Sequence, residues 1–165
     1  MGLLSYFSLE DSTQEFYFFI NCPGGWIIPG LALFDMMQSV KAEVHTLGLG
    51  LVASLGTFIL LAGENGHRAA TPNVRIMIHQ PASAYYASKS GHFQLELEQI
   101  VRLRAIVLRI YQEKTNQSLY RIHDDLERDS FMSAAEAQDY GLIDYIASEP
   151  GSFIKIKDES GSSNE

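Results

Sequence analysis

Apolar and polar positions fall in blocks along this chain, and each block predicts its own element. "EFYFFIN" (15–21) is aromatic and β-rich and predicts a strand ending in the turn "CPGG". "PGLALFDMMQSV" (29–40) predicts a helix with Pro29 in its first turn. "EVHTLGLG" (43–50) predicts a second strand. "SLGTFILLAG" (54–63) is apolar all round and predicts a buried helix stopped by Gly63. "NVRIMIHQP" (73–81) predicts a third strand, ended by Pro81. In "GHFQLELEQIVRLRAIVLRIYQEKTN" (91–116), Phe93, Leu97, Ile100, Val101, Leu103, Val107, Leu108 and Tyr111 mostly keep the three-to-four spacing of a long helix. "SAAE" (133–136) is a capping box opening a short helix that ends at Gly141, and "LIDYIA" (142–147) predicts a last short strand.

Strands alternating with helices predict an α/β fold, in which ligands lie beyond the carboxyl ends of strands. Three features fall there: "PGG" after the first strand, Ser54 after the second and His79 near the end of the third. A chain of 165 residues suits one domain, here residues 1–148, followed by a polar, Ser/Gly-rich tail (149–165) expected to be disordered at its end.

Composition narrows the function classes. With 46% apolar and 19% charged residues the chain can build a core, and a net charge of −8 with no basic run argues against nucleic acid. No apolar run reaches membrane length, and the N-terminal stretch does not read as a signal peptide. The single cysteine, Cys22, rules out an internal disulfide framework and any cysteine-based zinc site. No histidine has metal-ligand spacing with another or with Cys22, so no metal site is expected.

The chemistry is open at each position taken alone. Ser54 reads first as a helix N-cap; as a nucleophile it would need an adjacent base. His79, after three apolar strand residues, suits a general base near neutrality or a satisfied strand-end histidine. Gly24 and Gly25 form either an ordinary Pro-Gly turn or a backbone that lets a substrate approach and offers N–H groups to an oxyanion, with Gly25 and Leu55 as the two donors. No Lys-Ser/Thr pair follows the glycines, so this is not a phosphate loop. An acid is needed to orient the histidine. Pattern cannot choose among the aspartates, although Asp129 in "LERDSF" precedes a hydrophobic return into the fold.

The blocks "FINCPGGWIIPGLALFDMMQ", "GLVASLGTFILLAG", "RIMIHQP" and "LERDSFMSAAEAQDYGLID" occur in an order that resembles the Clp serine peptidase family, the proteolytic subunits of the Clp protease, and in particular its plastid-encoded form. The resemblance runs from about Leu4 to Ala147. It implies the crotonase/Clp-like fold of stacked ββα repeats, with the helix at 91–116 as a projecting handle. Carried over by position, it implies Ser54 as nucleophile, His79 as base, Asp129 as acid, and Gly25 and Leu55 as oxyanion donors. Trp26, Ile27, Pro81 and Ala82 are implied at the substrate, with Leu55 beside them, and an extended Gly25–Ile28 segment would pair with substrate backbone. Glu127 and Arg128 are expected to couple ring contacts to the triad.

The resemblance further implies two stacked seven-membered rings of proteolytic subunits, an AAA+ ATPase partner that feeds unfolded polypeptides, no cofactor in this chain (ATP belongs to the partner), no nucleic acid, no membrane, and the chloroplast stroma, with a bacterial cytoplasm as alternative. Two departures stand out. Cys22 replaces the serine usual before "PGG", and the family carries several dozen further residues ahead of "MGLLSYFSLED", so a chain shortened at its N-terminus is expected. Two rivals follow: a structural or truncated, inactive ring subunit, and an acyl-CoA enzyme of the crotonase type, which would use carboxylates rather than a serine–histidine pair.

Overall fold

The computed structural model describes residues 2–11, 13–79, 90–149 and 153, with backbone alone for 90–97. Six strands form one sheet, β1 (Phe16–Cys22), β2 (Val44–Ala53), β3 (Arg68–Ala70), β4 (Arg75–Ile78), β5 (Ser130–Met132) and β6 (Tyr145–Ile146). The strand order is β5-β4-β2-β3-β6, with β1 paired to β2. All pairings are parallel except β4–β5. The central strand is β2. Its first half pairs β3 through Thr46↔Arg68 to Gly48↔Ala70, and its second half pairs β4 through Leu51↔Arg75 to Ala53↔Met77. One strand thus feeds two neighbours on the same side, which curls the sheet. This is the mixed α/β fold that the alternation of strands and helices predicts.

The helices are α1 (Gly2–Glu10), α2 (Ile27–Ser39), α3 (Leu55–Leu60), α4 (Ser90–Thr115), α5 (Leu119–Leu126) and α6 (Ala134–Tyr140). The core lies between the sheet and α2, α3, α5, α6 and the C-terminal half of α4, with Phe34, Phe58, Leu60, Ile76, Ile78, Tyr111 and Ile122 in it. As expected, α3 is buried along its whole length beyond Leu55. The capping box is present: the Ser133 hydroxyl accepts from the Glu136 N–H, the Glu136 carboxylate accepts from the Ser133 N–H at 2.8 Å, and Gly141 ends α6 at φ +90°. No described helix is long and apolar enough to cross a membrane.

Four elements escape the hydrophobic pattern. β3 and β5 are three residues each, too short for a period to register. In α1 only Leu4 is buried, and α5 buries only Ile122 and Leu126, one turn apart. The long helix does not bury its apolar spacing evenly. Ile100, Val101 and Ile106 are exposed, and burial sets in only at Val107, Tyr111 and Thr115. Its last turns pack on the body, while its apolar spacing over 100–106 faces outward, as a projecting handle requires. Phe93 and Leu97 lie outside the described side chains. Most of the 149–165 tail lies outside the described residues, but Phe153 returns to the body, buried against Leu47 and Ala69 with its ring 5.3 Å from Tyr17 and 5.6 Å from Phe19.

One polar hub holds the far side of the sheet. Asp144 accepts from the Gly66 and Arg68 N–H groups and from Arg68 Nε and Nη2, at 2.6–3.0 Å. Arg68 also donates to the carbonyls of Lys114 and Gly141, both at 3.1 Å. A single guanidinium therefore ties β3 to the ends of α4 and α6 and to the approach to β6.

Candidate active site

The β2–α3 junction is abrupt. β2 ends at Ala53 and α3 begins at Leu55, so Ser54 alone makes the turn, at φ +51° and ψ −114°. Only two non-glycine residues among those described have positive φ. Such a conformation costs on the order of 1–3 kcal/mol and persists where the surroundings enforce it. Here the Ser54 N–H donates to Met77 O of β4 at 2.9 Å, and the Ser54 carbonyl accepts from the Phe58 N–H. The buried Thr57 hydroxyl lies 3.0 Å from Val52 O and 2.8 Å from Met77 O, bridging the strand ends beneath the turn. Ser54 occupies the N-cap position of α3, yet its side chain makes no cap hydrogen bond. The hydroxyl is thus not committed to capping.

Strand register aligns the other two groups with it. Ala53 pairs Met77, so Ser54 leaves the sheet beside the end of β4, where His79 follows Ile78. Ile78 in turn pairs Ser130 on β5, which sets Asp129 against His79 across an antiparallel ladder. The carboxylate Oδ1 lies 2.9 Å from His79 Nδ1, within hydrogen-bonding distance, although no hydrogen bond to this nitrogen is present among the described residues. His79 is less than one-third exposed, whereas Asp129 is 61% exposed. Among the described hydrogen bonds none joins Ser54 Oγ to His79. Catalytic hydrogen bonds are often loose without substrate and tighten in the complex.

The glycine loop lies directly over the serine. A Cβ on Gly24 (φ +138°) would meet Ser54 Cβ at 3.3 Å, and one on Gly25 would meet Leu55 Cδ2 at 3.0 Å. The Cys22 thiol donates to Gly24 O at 3.3 Å and folds the loop back on itself. Cys22 O would lie 2.6 Å from a Cβ on Gly56, so glycine at 56 lets the end of β1 touch the first turn of α3. The N–H of Leu55, in that first turn, has no intrahelical acceptor. Gly25, against the Leu55 side chain, and Leu55, next to Ser54 in sequence, thus both lie close to the serine.

Other predicted positions fare differently. Trp26 is largely exposed in extended backbone before α2, and Ile27 is partly buried on the core. The expected extended segment Gly25–Ile28 is corrected: α2 starts at Ile27, with the Gly30 N–H donating to Trp26 O. Proline is tolerated in a first turn, where its missing N–H costs nothing, so the helix starts two residues ahead of Pro29. Leu55 packs against Gly30, where a Cβ would come within 2.0 Å of its Cδ1. Pro81 and Ala82 lie outside the described residues. Glu127 pairs with Arg104 of α4 and Arg128 with Asp124 at 3.1 Å, so the residues before Asp129 are tied to the base of α4 and to α5.

Sequence spacing missed one cluster. His45 and His67, 22 positions apart, come into ring contact at 4.1 Å beside Glu43. The spacing argument against a metal-ligating set therefore fails, because parallel pairing sets the start of β2 beside the approach to β3.

The Clp protease family model matches residues 1–150. ATP-dependent Clp protease proteolytic subunits of Nicotiana tabacum and Coffea arabica are each 50% identical over 149 residues, covering 90% of this chain and 76% of the relative. That of Nuphar advena is also 50% identical over 149 residues, with 74% of its length covered. A family match over nearly the whole chain, on a curled sheet that gathers a serine, a histidine and an aspartate at neighbouring strand ends, leaves no room for the acyl-CoA rival: the chain belongs to the Clp protease family.

Proposed function

We propose that this chain is a serine endopeptidase subunit of an ATP-dependent Clp protease. One observation carries the reading. The β2–β4–β5 register converges on Ser54 in a strained turn with an uncapped hydroxyl, His79, and an Asp129 carboxylate 2.9 Å from the imidazole. Ser54 Oγ attacks a peptide carbonyl while His79 takes its proton, and Asp129 stabilises the imidazolium. The Gly25 and Leu55 N–H groups receive the oxyanion, and the proton on His79 passes to the leaving amine. Water, activated by the same histidine, then cleaves the ester and frees Ser54. Trp26, Ile27, Pro81 and Ala82 would contact the substrate.

The relatives are named ATP-dependent, which supports an ATP-driven step in the proteolysis this chain serves. We assign its use to a separate AAA+ ATPase that delivers unfolded polypeptide to two stacked rings of proteolytic subunits, with no cofactor in this chain. The plant relatives favour the chloroplast stroma.

A second reading has its own support. The exposure of Asp129 and the lack, among the described residues, of a hydrogen bond from Ser54 Oγ to His79 suit a structural ring subunit that leaves the chemistry to others. Intact-mass analysis after fluorophosphonate treatment separates the two. A single adduct abolished by Ser54→Ala supports the peptidase; no adduct on the folded chain supports the structural subunit.

A further inference from the structure

At the opposite end of the sheet from Ser54, the start of β2 carries a histidine–glutamate cluster that the peptidase reading does not use. His45 is the second residue of β2, and Ser54 follows the last, so about nine residues at about 3.3 Å each, roughly 30 Å, separate the two sites. One donor atom from each of Glu43, His45 and His67 lies within 4.8 Å of the other two. The His45 and His67 rings are 4.1 Å apart and tilted by 39°. His45 is 3% exposed, and its Nε2 lies 3.7 Å from Glu43 Oε2 and 3.6 Å from Glu15 Oε2. Nδ1 of His67 is buried with no hydrogen-bond partner among the described residues.

The backbone holds these donors in place. The Phe16 N–H donates to Glu43 O, the Glu64 N–H to Val44 O, the Thr46 N–H to His67 O and the His67 N–H to Glu64 O, all at 2.8–3.0 Å. Tyr17 OH donates to Glu15 Oε2 at 2.6 Å and orients this second carboxylate, the kind of outer support that metal-ligating groups have. Two imidazoles in ring contact repel if both are protonated, and two glutamates crowd one buried imidazole. A dication suits this donor set, since it takes neutral imidazoles as ligands and its charge is balanced by the neighbouring carboxylates. Two ring nitrogens with carboxylate oxygen suit zinc, whereas magnesium and calcium prefer all-oxygen sites. Tetrahedral zinc at about 2.0–2.1 Å from each donor needs them roughly 3.3 Å apart, so binding requires the Glu43 side chain to rotate inward and the two imidazoles to turn their nitrogens toward a common point.

We propose that Glu43, His45 and His67 form a zinc site that clasps the starts of β2 and β3, with the Glu15 carboxylate beside His45 as outer support. The test titrates zinc into the full chain against a chromogenic chelator near neutral pH, for wild type, Glu43→Gln, His67→Gln and a control, His123→Gln. The expected result is one tight site per chain, weakened at least about tenfold by Glu43→Gln and by His67→Gln and unchanged by His123→Gln. Zinc should also raise the Tm of wild type more than that of Glu43→Gln, whose exposed side chain makes misfolding no obstacle if His67→Gln fails to fold. Lack of a one-per-chain site overturns the proposal, as does a site that survives Glu43→Gln or is lost in His123→Gln.

Discussion

Replacing Asp144 by asparagine keeps the shape of the Arg68 hub and removes its charge. In the native fold burial pushes the Asp144 carboxyl up, but hydrogen bonds from the Arg68 side chain and N–H, its positive charge and the Gly66 N–H together hold it below the usual carboxylate range. The Arg68 and Asp144 side chains are 6% and 21% exposed. Asparagine has one acceptor oxygen where the carboxylate uses two, so one Arg68 N–H faces an amide N–H, and a buried guanidinium loses its counter-charge. Removing one partner of a buried pair costs about 3–5 kcal/mol, and the one-fifth exposure of Asp144 argues for the lower end, about 3 kcal/mol. For a chain of this size about 2–4 °C per kcal/mol makes that a Tm loss of roughly 6–12 °C. The sign with pH follows from the depressed folded value. The stabilisation is fully present above the unfolded carboxyl range and is lost as pH falls through it toward the folded value. Urea unfolding at one fixed protein concentration should therefore show a full gap between wild type and Asp144→Asn near neutrality, shrinking in the acid range. A gap under about 1 kcal/mol near neutrality, the worth of a surface pair, would refute the hub, as would a gap that does not change with acid.

Two further substitutions probe the site. Gly56→Ala puts a Cβ 2.6 Å from Cys22 O, a backbone atom that cannot swing away, so the first turn of α3 or the end of β1 must shift. Overpacking should cost about 1–3 kcal/mol, and displacing the Leu55 donor should slow fluorophosphonate labelling of Ser54 by about 100- to 1000-fold; a rate near wild type would detach Leu55 from the oxyanion. Asp129→Asn should slow labelling by about 100- to 1000-fold, less than the roughly 10⁴-fold known for a buried triad acid, because this carboxylate is 61% exposed and water screens it. Its urea midpoint should stay at the wild-type value, and unaltered labelling would remove Asp129 from the mechanism.

What the sequence disclosed and what it withheld divide along the range of the interactions. The capping box at Ser133 and Glu136, the buried run of α3 and the Pro-Gly turn are local, and the pattern of apolar and special residues reveals each of them. Local sequence alone left Ser54 between cap and nucleophile and left the acid open among many aspartates. The nucleophile and acid proposed above rest on short strands with no periodicity to read. Three residues of β5 pair Ser130 with Ile78 and thereby single out the aspartate one step before. A hydrogen bond from Ser54 to the β4 carbonyl of Met77 helps hold the serine in a backbone region that residue type does not announce. The His45–His67 contact arises the same way, from Thr46↔Arg68 pairing two strand starts. In this fold chemistry-bearing residues sit one position beyond a strand end. Their partners are therefore chosen by cross-strand register, a long-range property, and the shortest strands, least visible in the sequence, decide which side chains meet.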